Sequence, residues 1–256
     1  MSFLASPRFL IGLAADQLLP HQCLLCGKFC VDRGVCAACW AGARPISAPL
    51  CDRCGRPLPH ALPDQLCGQC WRTPPPLAAI RAGFVYNAFS RALILRFKHA
   101  DGLYLTPVLG QFLARHFAAL HQPGNLVVPI PLHRHRYLAR RYNQSAELAR
   151  WLAPVDEFAP AILLRQHHNK SQAGLNRAQR QKNVAGVFTV APKSRPTLSG
   201  RPVILIDDVM TTGATLTAAT NCLLAAGSGP VYALVLARVL QKDYPCVRVM
   251  FLGLCF

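Results

Sequence analysis

The chain has 256 residues, of which 52% are hydrophobic and 15% are charged, which argues against a disordered chain and for a globular protein with one main core and a small additional module. No run of about eighteen uncharged apolar residues occurs, so no membrane-spanning helix is expected. The formal net charge is +17, and seventeen basic residues lie between residues 90 and 201, where only four acidic ones occur. This bias predicts a polyanionic partner, a diphosphate or a nucleic acid, with a merely solvated basic surface as the alternative.

Residues 1–19 contain an apolar stretch that could be mistaken for a secretory signal peptide. The stretch includes Arg8 and Asp16, has no basic segment before it, and leads directly into a group of cysteines. These features argue against a signal peptide. We therefore expect residues 1–19 to form an N-terminal amphipathic helix that packs on the rest of the protein.

Four Cys-x-x-Cys pairs follow within residues 20–73, formed by Cys23, Cys26, Cys36, Cys39, Cys51, Cys54, Cys67 and Cys70. Two thiolates three residues apart on a tight turn can ligate one tetrahedral zinc ion, and a second pair completes the site. The four pairs therefore predict two structural Zn²⁺ sites in a module that is too small to hold a core without metal. Pairing of successive pairs needs the shortest loops, and interleaved pairing remains open.

Three further side chains in this module could take part in metal binding. Cys30 is left over and is expected to be a spare thiol or a core residue, while His21 and His60 could each replace a thiol, although nothing in the pattern requires it. A zinc ion with four thiolate ligands has no open position. The metal is therefore expected to stabilise the module and not to catalyse a reaction.

The stiff linker Thr73–Pro76 separates this module from the main domain, residues 77–240. In that domain, strand patterns alternate with helix patterns, which predicts an α/β fold with a mostly parallel sheet flanked by helices. The strands are predicted at 80–86, 126–130, 163–164, 203–206 and 231–237, and the helices at 90–100, 103–120, 146–152 and 216–226. Residues 189–200 are expected to be a turn-rich connector, and the apolar tail, residues 241–256, could add an edge strand of no assigned function.

Two loops of the main domain are strongly basic. The first, residues 131–145, follows a predicted strand, and in doubly wound sheets such loops line the ligand crevice. Guanidinium groups bind phosphate oxygens through a planar fork of donors, so this loop supplies candidate diphosphate ligands, namely Arg134, Arg136, Arg140, Arg141, Asn143 and Gln144. The second, residues 165–188, is rich in amides and basic groups and could fold over a bound polyanion. His167 and His168 within it are not assigned a role as bases.

The most informative stretch begins at residue 203. Four apolar residues predict a buried strand, Asp207 and Asp208 follow, and a loop of small residues, Thr211, Thr212, Gly213, Ala214 and Thr215, leads into a helix. Backbone N–H groups at a helix N-terminus, together with threonine hydroxyls, bind phosphate. The two carboxylates cannot help to bind phosphate but suit sugar hydroxyls or a metal ion. The stretch therefore predicts a site for a ribose 5-phosphate.

The order of these features resembles the ComF family, in which an N-terminal double zinc ribbon is fused to a type I phosphoribosyltransferase domain. The resemblance covers residues 20–240. Besides the ribbon and the acid-threonine motif, it is carried by Arg96-Phe-Lys-His99, Val128-Pro-Ile-Pro-Leu132, Arg140-Arg-Tyr-Asn-Gln144, Gln172 with Arg180 and Asn183, and Ala185-Gly-Val-Phe188. The chain departs from the family's usual residues at His99, where Tyr is usual, at Arg140-Arg-Tyr142, where Arg-Gly-Phe is usual, and at Gln179, where Glu is usual.

The resemblance implies that the domain binds phosphoribosyl diphosphate (PRPP) as its substrate, together with Mg²⁺. Asp207 and Asp208 would hold the ribose hydroxyls and stabilise the positive charge that builds up on the sugar as diphosphate leaves, so they are the implied catalytic residues. The 5-phosphate would bind to Thr211, Thr212, Gly213, Ala214 and Thr215. The diphosphate would bind to residues of the two basic loops, namely Arg134, Arg136, Arg140, Asn143, Gln144, Gln172 and Arg180. Lys98 is a further implied PRPP-binding residue.

The resemblance also implies a role in natural transformation, with single-stranded DNA and the DNA-uptake machinery at the inner membrane as partners, and a cytoplasmic location peripheral to that membrane. Members are often labelled amidophosphoribosyltransferases, but residue 2 is Ser, so the glutamine-dependent enzyme is not expected. Three hypotheses stay open: a transferase with an unknown acceptor, a DNA-processing factor that binds single strands through the basic face and the zinc ribbon, with or without turnover, and a PRPP-sensing regulator that keeps the ligand site but not the chemistry. The candidates for base stacking near the basic residues are Tyr137, Tyr142 and Trp151.

Overall fold

The computed structural model describes residues 21–30, 34–99, 102–132, 140–165 and 186–240. The expected N-terminal helix and the C-terminal tail lie outside the described residues, as do most of the two basic loops, at residues 133–139 and 166–185. Four of the predicted diphosphate ligands therefore also lie outside the described part of the chain, namely Arg134, Arg136, Gln172 and Arg180.

The described residues form six strands and seven α-helices, numbered here in chain order. The strands are β1 (Ala79–Val85), β2 (Leu126–Pro129), β3 (Leu163–Arg165), β4 (Phe188–Val190), β5 (Val203–Met210) and β6 (Val231–Arg238). The α-helices are α1 (Ala37–Trp40), α2 (Gly68–Arg72), α3 (Ala88–Phe97), α4 (Thr106–Ala118), α5 (Gln144–Leu152), α6 (Arg195–Leu198) and α7 (Ala214–Ala225). Two short 3₁₀ helices lie at Gly102–Leu105 and Pro192–Ser194.

Four strands form a parallel sheet in the order β1-β6-β5-β2, and β3 pairs with β4 in a separate antiparallel sheet. The apolar half of β5 is completely buried, because helices cover both faces of the sheet. Ile204 packs in one core cluster with residues of α3, α4 and α5, such as Phe97. Leu205, which points to the opposite face, packs in the other cluster with Leu216 of α7.

The predicted fold class is confirmed: a mostly parallel sheet is flanked by helices behind an N-terminal double zinc ribbon. The predicted strand 203–206 is longer than expected, because β6 continues to pair with it as far as Met210. Asp207 and Asp208 therefore lie within β5, near its carboxyl end. Among the described residues, no helix has both the length and the apolarity needed to cross a membrane.

The expectation of a turn-rich connector at residues 189–200 is only partly right. This segment contains the end of β4 and the one-turn helix α6. A strand of three residues leaves almost no periodic signal, and β4 exists because it pairs with β3, more than twenty residues earlier in the chain. Local sequence patterns could not reveal that contact.

The zinc ribbon consists of two units that dock separately on the main domain. In the first zinc unit, residues 23–40, the ring of Trp40 lies 5.1 to 6.1 Å from the ring centroids of Phe84, Phe89 and Phe112. In the second zinc unit, residues 51–71, the carbonyl of Arg53 accepts a hydrogen bond of 2.8 Å from the N–H of Ile80 in β1.

Gly55 permits the close approach of the second zinc unit to β1. Its φ is +65°, and a Cβ at this position would lie 2.2 Å from the carbonyl oxygen of Ile80. Gly27 occupies the equivalent position of the first zinc unit with φ +72°, and a Cβ there would meet nothing within 4 Å. The two glycines therefore share a backbone requirement, but only Gly55 lies against the sheet.

We expect Gly55→Ala to destabilise the protein more than Gly27→Ala. Both substitutions place a Cβ in the left-handed region, at a cost of roughly 1–2 kcal/mol. Gly55→Ala also forces the carbonyl of Ile80 to move, which adds roughly 1–3 kcal/mol. Thermal unfolding of the two zinc-loaded variants measures the difference, and equal losses of melting temperature would show that the second zinc unit does not depend on this contact.

Candidate functional site

Two carboxylates near the end of β5 form the centre of the site. Asp207 Oδ1 accepts hydrogen bonds from the backbone N–H of Asp208, at 2.9 Å, and from the hydroxyl of Ser145, at 3.3 Å. Asp208 Oδ2 lies 2.5 Å from the ammonium group of Lys98. Both carboxyl groups are only partly accessible, so each uses a neighbouring polar group to offset lost hydration.

Lys98 and Ser145 come from different elements that one tyrosine holds together. Lys98 follows the last residue of α3, and Ser145 lies in the first turn of α5. The hydroxyl of Tyr142 donates to the carbonyl oxygens of Phe97 and His99, which flank Lys98. The start of α5 is thereby fixed against the end of α3, and both approach the acid pair.

The residues around Tyr142 shape this junction. Arg141 has φ +65°, which explains why glycine is usual at its position in the family that the sequence resembles, since a β-carbon is strained there. The side chain of Asn143 caps α5 by accepting from the N–H of Ser145 and donates to the carbonyl of Ile130. Gln144 is buried and accepts a hydrogen bond of 3.2 Å from Arg140. The structure thus places three predicted diphosphate ligands, Arg140, Asn143 and Gln144, in one hydrogen-bonded corner.

The loop Thr211–Thr215 follows β5 directly and lies beside the acid pair. Gly213, at the N-cap of α7, has φ +80°, which a glycine adopts without strain. The hydroxyl of Thr212 accepts a hydrogen bond of 3.4 Å from the N–H of Ala214. A small concavity is lined by Asp207 and by residues 209–216. The first turn of a twelve-residue helix presents N–H groups to this concavity, so the loop is suited to an anion.

A larger cavity of about 680 Å³ extends from this loop along α7 towards β4. Its lining includes Thr212, Thr217, Asn221, Phe188 and Arg195. The cavity therefore offers room for a ligand group next to the Thr211–Thr215 loop, and the described residues of its lining supply one cationic side chain and several neutral polar ones.

Burial and the neighbouring charge of Asp208 raise the pKa of Asp207 from 3.8 to about 7, although Lys98 and the Ser145 hydroxyl act in the opposite direction. Near neutral pH, the acid pair therefore holds a proton on Asp207 for a large part of the time. The unprotonated form can accept hydrogen bonds from sugar hydroxyls, and the protonated form can donate one.

The eight cysteines of the Cys-x-x-Cys pairs form two clusters, which confirms the pairing of successive pairs. One contains Cys23, Cys26, Cys36 and Cys39, the other contains Cys51, Cys54, Cys67 and Cys70, and the ligand atoms within each lie within 4.8 Å of one another. Four sulfurs at this spacing fit tetrahedral structural zinc. Backbone N–H groups donate to the Cys23 and Cys51 sulfurs in both clusters, as expected for thiolate ligands. Among the described residues, Cys30, His21 and His60 belong to neither cluster.

The second zinc unit extends to the Thr211–Thr215 loop. A cavity of about 100 Å³ is lined on one side by Gln69, Cys70, Thr73 and Pro75 and on the other by Met210, Thr211, Thr212 and Gly213. Arg238, buried at the end of β6, also lines it and donates a hydrogen bond to the carbonyl of Cys54. The second zinc unit therefore packs beside the site and lines one side of this cavity.

The roles of three contributors to this arrangement were missed from the sequence: Ser145 and Arg238 were given none, and Tyr142 was expected to stack on bases and not to join α3 to α5. Ser145 and Tyr142 lie in the basic loop, but a hydroxyl among arginines carries no signal of its contact with a distant carboxylate. Arg238 was detectable in principle, because a charged residue at the end of an apolar strand needs a partner when it is buried.

Comparison with known proteins agrees with this organisation. A family model described as a double zinc ribbon domain matches residues 14–71. Competence protein F of Haemophilus influenzae is 30% identical over 80% of this chain and 90% of its own length. Competence protein ComFC of Bacillus subtilis is 31% identical over 77% of this chain and 80% of its own. The chain belongs to the ComF family.

Other similarities extend the picture. The DNA utilization protein YhgH of Escherichia coli K12 is 28% identical to this ComF protein over 81% of the chain and 91% of its own length. Among solved structures, a hypoxanthine phosphoribosyltransferase of Staphylococcus aureus covers 56% of this chain and 77% of its own, with 11% identity and a TM-score of 0.33. A structural likeness at that level carries no argument about function.

The raised pKa of Asp207 makes stability depend on pH. Between about pH 4 and about pH 7 the folded protein keeps a proton on Asp207 that the unfolded chain has lost, so stability falls as pH rises through this window. We expect the melting temperature of Asp207→Asn, relative to wild type, to be higher at pH 8 than at pH 5. Asp64→Asn, at an exposed carboxyl group, is the control. An Asp207→Asn difference that does not change with pH would contradict the raised pKa.

Proposed function

We propose that this ComF protein binds PRPP and acts as a phosphoribosyltransferase in the uptake or processing of single-stranded DNA during natural transformation. The observation that carries the proposal is the position of Asp207 and Asp208 beside the Thr211–Thr215 loop, at the same edge of the sheet. Carboxylates suit ribose hydroxyls, and the helix N-terminus suits a 5-phosphate. A single ligand that contains both groups matches this pair of sites.

In this proposal the acid pair also assists the chemical step. The bond between the anomeric carbon and the diphosphate oxygen breaks, its electron pair leaves with the diphosphate, and positive charge builds up on the sugar. In this proposal Asp208, and Asp207 in its unprotonated form, would stabilise that charge electrostatically. The acceptor then forms a bond to the same carbon and loses a proton.

The leaving diphosphate needs positive groups on its side of the site. Lys98, Arg140 and the hydrogen-bonded corner of Asn143 and Gln144 are the described residues proposed for this task, together with Arg134, Arg136, Gln172 and Arg180 from the loops outside the described residues. Mg²⁺, when bound, would neutralise charge on the diphosphate. The contact of Lys98 with Asp208 would have to be exchanged for contacts with the ligand.

The proposed link to DNA is supported by the relatives and by charge. The relatives that match over most of their length are called competence proteins and DNA utilization proteins. The seventeen basic residues between 90 and 201 provide an attractive field for a nucleic acid as well as for a diphosphate. We propose that the protein works on the cytoplasmic side of the inner membrane, close to the DNA-uptake machinery.

One observation favours the second candidate function, a PRPP sensor or DNA-binding protein without turnover. Among the described residues that line the 680 Å³ cavity, none is Asp, Glu or His. An acceptor bound there would therefore have no described carboxylate or imidazole beside it to remove its proton. A nucleophile that is already unprotonated would still react.

Release of diphosphate from PRPP and Mg²⁺ tests the proposed function, with single-stranded DNA, ammonia and nucleobases offered separately as acceptors. We expect wild type to release diphosphate with one acceptor class and the double variant Asp207→Asn, Asp208→Asn to lose at least about 100-fold in rate, because two charge-stabilising groups are removed. Asp156→Asn, an exposed carboxyl group elsewhere, is the control. If no acceptor leads to release of diphosphate, the transferase proposal is wrong and the sensor without turnover is the better description.

A further inference from the structure

The two zinc units are copies of one structural motif. Each begins with Cys-x-x-Cys-Gly followed by a basic residue, and each ends with Cys-x-x-Cys-Trp. Three backbone hydrogen bonds of 2.7 to 3.0 Å recur at matching positions in the two units. The N–H of Gly27 donates to the carbonyl of Cys23, as that of Gly55 does to Cys51, and the N–H of Cys23 donates to Lys28, as that of Cys51 does to Arg56. The N–H of Trp40 likewise donates to the carbonyl of Cys36, as that of Trp71 does to Cys67. Trp40 and Trp71 therefore occupy equivalent positions in the two units.

The two tryptophans have different surroundings. Trp40 contacts three phenylalanine rings and attaches the first zinc unit to the main domain. Trp71 is 73% exposed, and in the described part of the chain no aromatic ring or cation pairs with its indole. Tryptophan is on average among the more buried residues, so an indole exposed to this degree on a rigid metal-bound turn is unusual. The second zinc unit docks through Gly55 instead, which leaves Trp71 pointing away from the protein.

The chemistry next to Trp71 suits a nucleic acid. Between residues 67 and 77 the only charged residue is Arg72, which directly follows Trp71 and is also exposed. The next four residues are Thr73, Pro74, Pro75 and Pro76. The three prolines have no backbone N–H group, so Arg72 remains the main hydrogen-bond donor for a phosphate in this stretch. Proteins hold single strands by stacking bases on exposed aromatic rings and by contacting the phosphates with basic side chains nearby, and residues 71 and 72 supply one group of each kind.

Trp71 also lies close to the proposed PRPP site. Its neighbour Cys70, and Thr73 two residues later, line the 100 Å³ cavity whose opposite wall is formed by Met210, Thr211 and Thr212. A cavity of this size is too small for a nucleotide, so a strand that stacks on Trp71 would pass along the outside of the Thr211–Thr215 loop.

We propose that Trp71 is a base-stacking residue for single-stranded nucleic acid, with Arg72 as its phosphate contact, and that the second zinc unit thereby holds a strand beside the PRPP site. This inference rests on the DNA-binding part of the proposed function. It assigns the stacking role to the zinc module, in place of Tyr137, Tyr142 and Trp151 of the main domain. The first zinc unit cannot share the role through its tryptophan, because Trp40 is already engaged in docking.

Tryptophan fluorescence of the full-length, zinc-loaded protein tests the inference directly, since the chain contains three tryptophans. An oligo(dT) strand is titrated into wild type, Trp71→Phe and Trp151→Phe. We expect quenching in wild type and Trp151→Phe and almost none in Trp71→Phe. In the free protein, the emission that Trp71→Phe removes should be that of a solvent-exposed indole. Blue-shifted emission from Trp71 would mean that another segment or a second copy covers it, and would overturn the inference.

Affinities measured at several salt concentrations separate stacking from charge. We expect Trp71→Ala to weaken oligo(dT) binding about tenfold. The dependence of the affinity on salt should not change, because base stacking contributes nothing to the number of counterions released on binding. Trp71→Phe should restore part of the affinity. Arg72→Gln should reduce the salt slope by about one phosphate contact.

The outcomes of these titrations are distinct. If wild type binds oligo(dT) and Trp71→Ala binds equally well, the stacking role is wrong while the proposed DNA function stands. If wild type does not bind single-stranded DNA at all, both the stacking role and the DNA part of the proposed function fail. Diphosphate release from PRPP with another acceptor would be unaffected by either result.

Discussion

The site depends on two neighbouring carboxylates held near the end of a buried central strand. Like charges at adjacent positions repel, and burial removes the water that would otherwise separate them. The hydroxyl of Ser145 and the ammonium group of Lys98 offset part of this cost, and what remains raises the pKa of Asp207 to about 7. These partners must come from elsewhere in the chain. The hydroxyl of Tyr142 therefore fixes the end of α3 against the start of α5, and the side chain of Asn143 ties the start of α5 to the carbonyl of Ile130, just after β2. These contacts bring Lys98 and Ser145 to the acid pair.

The zinc ribbon packs against the same end of the sheet as the acid pair. A duplicated motif with eight thiol groups supplies stiffness that so short a segment could not obtain from an apolar core. The two copies are used differently: one inserts Trp40 among phenylalanines, and the other lies against β1 through Gly55 and presents Trp71 outwards. The hydrogen bond from Arg238 to the carbonyl of Cys54 links this second copy to the end of β6, next to the Thr211–Thr215 loop. A strand held by the ribbon would therefore be close to whatever the pocket holds.

Some of this could be predicted from sequence because the signals are local. The Cys-x-x-Cys spacing defines its own zinc ligands, and the apolar run before Asp207 predicts a buried strand without any knowledge of its neighbours. The contacts that complete the site are not local. Ser145 meets Asp207 across 62 positions, and Arg238 meets Cys54 across 184, so no window of sequence contains both partners. The different roles of Trp40 and Trp71 were equally hidden, since identical motifs surround them and only tertiary packing distinguishes one from the other.

We propose that the acid pair and the Thr211–Thr215 loop together form a PRPP pocket. Titration calorimetry of Mg²⁺ and PRPP into the zinc-loaded protein measures this most directly, with wild type compared with the double variant Asp207→Asn, Asp208→Asn. We expect saturable binding to wild type and its loss in the variant, with an unchanged zinc content and a cooperative thermal unfolding transition that show both domains to be folded. Equal binding to both proteins, or no binding to wild type, would contradict it.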